Sequence, residues 1–127
     1  MNDHALAKFM AVSKALADEN RVRILALLRG RTLCVCQIIA VLGLAPSTVS
    51  KHLAILRQGG LLKIEKRGRW IHCRLASDGA PAVAKQALSW LQISLKYAKH
   101  IKDDRRSLAK VLKIDPARLC RRITGCC

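Results

Sequence analysis

The run LGLAPSTVSKHLAILRQGG, Leu42 to Gly60, decides the fold. Gly43 stops one helix, Pro46 suits the first turn of the next, and Gly59-Gly60 ends it. Within that second helix Val49, Leu53 and Leu56 recur at helical spacing as an inward face. A glycine turn joining two helices at an angle is the helix-turn-helix pattern. Away from the apolar positions the helix shows Ser47, Thr48, Ser50, Lys51 and His52. Such side chains reach base edges and phosphates when a helix enters a major groove.

Past the double glycine the period changes from helical to two. Leu62 and Ile64 alternate with Lys63 and Glu65, and Ile71, Cys73 and Leu75 alternate with Trp70, His72 and Arg74, so two strands flank the tip Arg67-Gly68-Arg69. Arg67 and Arg69 at that tip are placed to meet backbone phosphates or the adjoining minor groove. Upstream, Leu6, Phe9, Met10, Ser13, Leu16 and Ala17 recur at helical spacing. Asp18-Glu19-Asn20 then caps a second helix with Val22, Ile24, Leu25, Leu27 and Leu28 inward. A third runs from about Cys34 to Leu42, and a last long helix is expected from Ala80 to about His100. The order predicts a mainly α fold with a small β-hairpin, a winged helix-turn-helix over residues 1–100, followed by a basic, cysteine-containing tail over 101–127. Trp90 and Leu91 lie on an apolar stripe of the last helix suited to packing against a second subunit.

Composition narrows the function classes. The chain has 127 residues, 51% of them hydrophobic, which suits one domain with a real core and excludes a disordered basic tail. Lys and Arg outnumber Asp and Glu by 24 to 8, so a polyanion is the expected partner. Four aromatic residues (two Trp, one Tyr, one Phe) are too few for a base-stacking platform, which favours duplex DNA over single strands or RNA. No apolar run approaches a membrane span and MNDHALAKFM lacks a signal-peptide pattern, so a cytoplasmic protein without membrane partner is expected. There, six cysteines argue for metal or redox chemistry over structural disulfides. No nucleophile-and-base arrangement points to an enzyme.

The residues also carry a resemblance. KALADENRVRIL, from Lys14, is similar to the opening ALADPTRLRIL of the ArsR/SmtB family of metal- and metalloid-responsive repressors. LCVC, Leu33 to Cys36, resembles its metal box, and STVSKHLAILRQGGLL, from Ser47, its recognition helix. The resemblance implies a homodimer that binds a partly palindromic duplex operator without a cofactor and lets go when inducer binds. It points to Cys34 and Cys36 as inducer ligands and to Ser47, Thr48, Ser50, Lys51 and His52 as the DNA-reading set. The sequence departs from the family's patterns in four places. Ile39 stands where the arsenic sensors have a third cysteine, no cysteine precedes Cys34, and Ala80 to Lys99 holds no His, Asp or Glu. Ala45 stands where a capping Ser often precedes the recognition helix.

Trivalent arsenic or antimony prefers three thiolates, and the tail offers more. Asp115-Pro116 is a helix-start signal, and Cys120 precedes the vicinal pair Cys126-Cys127, with Arg118, Arg121 and Arg122 placed to depress thiol pKa values. Two ligand sets follow. Either a tail cysteine completes Cys34 and Cys36, or Cys120, Cys126 and Cys127 form a site alone. In the first, residues i and i+2 of a helix point about 200° apart, so the first turn of the helix must open for Cys34 and Cys36 to hold one ion. Cadmium, lead and mercury are the next candidates as inducer. Cys73 alternates with Ile71 and Leu75 and reads as core. The competing functions are a thiol-based redox-sensing repressor of the same fold, a carrier that passes soft metals by thiol exchange, and a protein that coats DNA without regard to sequence.

Overall fold

The structure, a computed structural model, describes residues 3–77 and 79–123. It is built from α1 (His4–Leu16), α2 (Glu19–Leu27), β1 (Leu33–Cys34), α3 (Val35–Leu42), α4 (Pro46–Gln58), β2 (Leu62–Arg67), β3 (Trp70–Leu75), α5 (Ala82–Ser94), α6 (Lys99–Val111) and α7 (Pro116–Arg122). This is a winged helix-turn-helix. Asp18 caps α2 by accepting the N–H groups of Asn20 at 2.8 Å and Arg21 at 3.2 Å. Gly43 at φ +68° takes the left-handed turn that ends α3 and redirects the chain into α4. In the two-residue loop of the wing, Gly68 sits at φ +61° while Arg69 keeps a negative φ, the arrangement of a type II′ hairpin turn.

The sheet has three antiparallel strands in the order β1-β3-β2, one more than the alternating pattern reveals. Leu33 pairs with Cys73 and Cys34 with His72, so Cys34 is extended (φ −78°, ψ 156°) and α3 begins one residue later than expected. The Cys34 N–H donates to Gln37 Oε1 at 2.9 Å, fixing the strand-to-helix corner.

The helix expected from Ala80 to His100 is two helices. α5 stops at Ser94, and Ala98 is extended (φ −65°, ψ 129°) ahead of α6. The break lets Leu95 and Ala98 rest on the core and turns the next helix inward. α6 buries Ile101, Asp104, Leu108 and Val111, a stripe at helical spacing packed on α2 and α3. The boundary expected at residue 100 therefore falls inside an element of the common core. α7 docks on α3 through Leu119, 4% exposed, which contributes roughly 1.5–3 kcal/mol by burial. In α1 the core is reached by Val12 and Ala15, whereas Leu6, Phe9 and Met10 face outward.

Candidate functional site

Three surfaces carry the chemistry. The first is α4 with the wing. Because Val49, Leu53 and Leu56 are buried, Ser47, Thr48, Ser50 and Lys51 stand exposed on the other side of α4, with Ser50 and Lys51 each about one turn beyond Ser47. His52 is half-buried, its Nδ1 3.3 Å from Arg21 Nη1. A guanidinium only donates, so Nδ1 accepts there and a neutral ring carries its proton on Nε2. Arg21 also donates to the carbonyls of Ala15 at 2.8 Å and Lys14 at 3.0 Å, tying α1, α2 and α4 together. Burial works against the Asp18 carboxylate beside this hub. Backbone N–H bonds from Arg21 and Asn20, together with the charge of Arg21, outweigh it and lower its pKa. Ala45 makes no side-chain cap, so α4 starts without one of the partners that commonly satisfy a helix's first N–H groups.

On the wing the two tip arginines differ. Arg67 Nη2 is bonded to Glu65 at 3.1 Å, and Arg74 reaches the other oxygen of the same carboxylate at 3.3 Å. These hydrogen bonds, from Arg67 first and then Arg74, hold the Glu65 carboxyl below its usual range. Arg69 lies over the Trp70 ring, 5.5 Å from its centroid, while the one acid of the hairpin sequence, Glu65, is held by Arg67 and Arg74.

The second surface is apolar. Leu6, Phe9 and Met10 of α1 and Trp90, Ile93 and Tyr97 in or just beyond α5 are exposed, and a groove of about 540 Å³ lined by Phe9, Val12, Leu16, Val83, Ala87 and Trp90 runs between the helices. Leu91, expected beside Trp90 on the interface, is instead buried in this chain's own core.

The third is the thiol cluster. Cys36, fully buried in the first turn of α3, is joined by a disulfide to Cys120 of α7 across 84 residues of sequence, with Cα atoms 5.6 Å apart. Cys34, buried at the end of β1, and Cys73, buried on β3, are free thiols. Burial first and Cys34 second push the Cys73 thiol up to about 12, so it stays protonated at neutral pH, as suits core. The structure thus brings Cys36 to Cys120 and sets Cys34 in the edge strand β1, a different element from that of Cys36. Cys126 and Cys127 lie outside the described residues. Among the described residues no group of three or more His, Cys, Asp or Glu converges to hold an ion. The sulfurs that meet are those of Cys36 and Cys120.

Sequence reasoning missed the clamp that seats α6. Arg23 of α2 grips Asp104 through two parallel bonds, Nε to Oδ2 at 2.9 Å and Nη2 to Oδ1 at 3.0 Å, with both side chains largely buried. Asn20 Oδ1 takes Arg23 Nη1 at 3.0 Å, and His100 sits 3.2 Å from Glu19 at the rim. The available signal was the spacing of Ile101, Asp104, Leu108 and Val111, where an acid interrupts an apolar stripe.

A helix-turn-helix with a polar exposed face, a basic wing and a packed C-terminal extension defines a protein of the winged helix-turn-helix class. The sequence signature described as "Bacterial regulatory protein, arsR family" matches residues 18–63. The arsenical resistance operon repressor of Escherichia coli is 45% identical over 76 residues, 59% of this chain and 64% of that protein, so the match spans less than two thirds of the relative's length. The arsenic resistance transcriptional regulator ArsR2 of Pseudomonas putida is 34% identical over 67% of this chain and 71% of its own. The chain belongs to the arsR family of bacterial regulatory proteins. The fold is shared with the homodimeric winged helix-turn-helix DNA-binding domain Mb0332 of Mycobacterium bovis, at TM-score 0.63 and 27% identity over 79% of this chain and 93% of that one. The first two relatives are named as a repressor and a transcriptional regulator of arsenic resistance.

Proposed function

We propose that this protein is a transcriptional repressor that binds a duplex operator as a homodimer and leaves it when trivalent arsenic or antimony is held by cysteine thiolates. Ser47, Thr48, Ser50, Lys51 and His52 read the major groove, Arg67 and Arg69 hold flanking phosphates, and the outward faces of α1 and α5 pair two copies. No cofactor is needed for DNA binding, the protein acts in the cytoplasm, and no described helix is long and apolar enough by itself to cross a membrane. The observation that carries the inducer reading is where the thiols sit. Cys36 lies on α3, the helix that packs against α4 and is joined to it by one glycine turn, and its sulfur meets that of Cys120.

Once reduced, Cys36 and Cys120 supply two thiolates, and Cys34, Cys126 or Cys127 supplies the third. Drawing a third sulfur to this pair repositions the first turn of α3 or the tail against it. Residues Ile38, Ile39 and Leu42, all buried, pass that shift to α4. A coupling of about 1–3 kcal/mol weakens operator binding 5- to 150-fold.

The test is an operator titration followed by fluorescence anisotropy on reduced, metal-free protein, with arsenite added and sulfur-to-arsenic absorbance counting the ligands. Cys36→Ser and Cys120→Ser are each expected to raise the arsenite needed for release. Cys34→Ser and removal of Cys126-Cys127 identify the third donor. No absorbance and no release with arsenite or trivalent antimony would sink the metalloid reading, and cadmium, lead and mercury would be tried next.

A further inference from the structure

We propose that Cys36 and Cys120 are an oxidant-responsive pair whose disulfide locks α7 onto α3 and makes the protein blind to its inducer while leaving it competent for DNA. The blinding rests on the ion-binding reading above; the cross-link does not. The two cysteines come from helices 84 residues apart in sequence, yet the fold sets their Cα atoms 5.6 Å apart, inside the span a disulfide requires.

The two sulfurs differ in access. Cys36 is fully buried, whereas Cys120 is half-buried at the rim of α7, between exposed Arg118 and Arg121. A small peroxide therefore meets Cys120 first. Its thiolate attacks one peroxide oxygen, the O–O bond breaks, and the leaving hydroxide takes a proton to become water. The sulfenic acid so formed is attacked by the Cys36 sulfur, the S–O bond breaks, and a second water leaves as the S–S bond forms. The peroxide gains two electrons and the two thiols lose them; a dithiol reductant reverses the change. Cys73, fully buried and protonated, stays out of this chemistry.

Two consequences follow from where the bond lies. A sulfur in a disulfide has no thiolate to offer, so oxidation removes two donors of the ion site at once. The cross-linked arrangement also leaves the other surfaces open. α7 packs on α3, while Ser47, Thr48, Ser50 and Lys51 of α4 and the apolar residues of α1 and α5 remain exposed. Held this way, α7 is fixed although seven residues are too few for a stable helix on their own.

The experiment uses the full chain, reduced or treated with mild hydrogen peroxide, with non-reducing peptide mapping by mass spectrometry and operator anisotropy with and without arsenite. A Cys36–Cys120 linkage, operator retained after oxidation, and the 5- to 150-fold weakening by arsenite seen only in the reduced protein support the proposal. A dithiol should restore the response, and Cys120→Ser should yield no linkage to Cys36. Linkages confined to Cys126 and Cys127, loss of the operator on oxidation, or an oxidised protein that still responds to arsenite would each overturn it. If the reduced protein also ignores arsenite, the ion-binding reading has failed and the blinding with it, while mapping and operator retention still decide the cross-link.

Discussion

α4 and α6 are both thirteen-residue helices with largely polar sequences, and they serve opposite ends. α4 puts Val49, Leu53 and Leu56 into the core and leaves its hydroxyls and Lys51 in solvent. α6 puts Ile101, Leu108 and Val111 into the core together with a carboxylate, Asp104, which Arg23 neutralises from α2. A polar residue on a helix is thus an exposed group open to a partner, as the proposed function has it on α4, or an anchor, depending on what waits opposite.

The contrast breaks most sharply at Asp104. Asp104→Ala strands the Arg23 guanidinium, 14% exposed, among buried groups and is expected to cost about 3–5 kcal/mol, read as a shift in the urea midpoint. One cooperative transition moving as a whole is the outcome for an α6 built into the core. A new early transition, with the remainder unfolding as before, would make α6 an appendage of the kind the boundary at residue 100 describes. The double replacement Arg23→Met with Asp104→Leu removes both charges and is expected to recover most of the loss.

The second test concerns an exposed face. Trp90 is 67% exposed, so Trp90→Glu should leave the single chain folded while putting a carboxylate into the apolar α1–α5 surface. Sedimentation is expected to give monomers, and the loss of linked half-site binding should weaken the operator complex by about 10²-fold or more. A stable dimer would move the interface away from this groove, with the far side of α1 the next surface to mutate.

These two regions were not equally legible. The helix-turn-helix and wing announce themselves because punctuation and period agree: Gly43, Pro46 and Gly59-Gly60 bracket α4, and alternation marks β2 and β3. β1 is two residues long, too short for any period to register, so Cys34 reads as the start of a helix although it pairs with His72. The break between α5 and α6 contains neither Gly nor Pro; tertiary burial of Leu95 and Ala98 makes it. The stripe of α6 hides behind seven charged or basic neighbours between Lys99 and Lys110, and its central acid makes sense only once Arg23 is seen across from it. For the thiols, the close spacing of Cys34 and Cys36 drew attention to a pair that the strand-to-helix corner separates. The pair that does meet, Cys36 with Cys120, is joined by tertiary contact that no local pattern encodes.

The smallest expected effect lies on the wing, where the comparison of anchored with free polar groups recurs within one hairpin. Glu65 is the single acid between Leu62 and Leu75, and it holds Arg67 and Arg74 while Arg69 lies over Trp70. Because hydrogen bonds from these arginines lower the folded pKa of Glu65, the clamp is fully formed above the ordinary glutamate range. It is lost only as pH falls through the lowered value, so it is intact at neutral pH. Arg67 must give up part of this pairing to meet a phosphate and Arg69 need not, so Arg69→Ala is expected to weaken DNA binding more than Arg67→Ala. Each lost phosphate contact should flatten the log–log salt dependence by about 0.9. Glu65→Gln should release Arg67 and raise affinity for operator and random DNA alike, whereas Lys51→Ala, on the reading helix, should cost the operator more than random sequence. Equal losses from Arg67→Ala and Arg69→Ala, with no gain from Glu65→Gln, would mean that the carboxylate places the wing without restraining its cations.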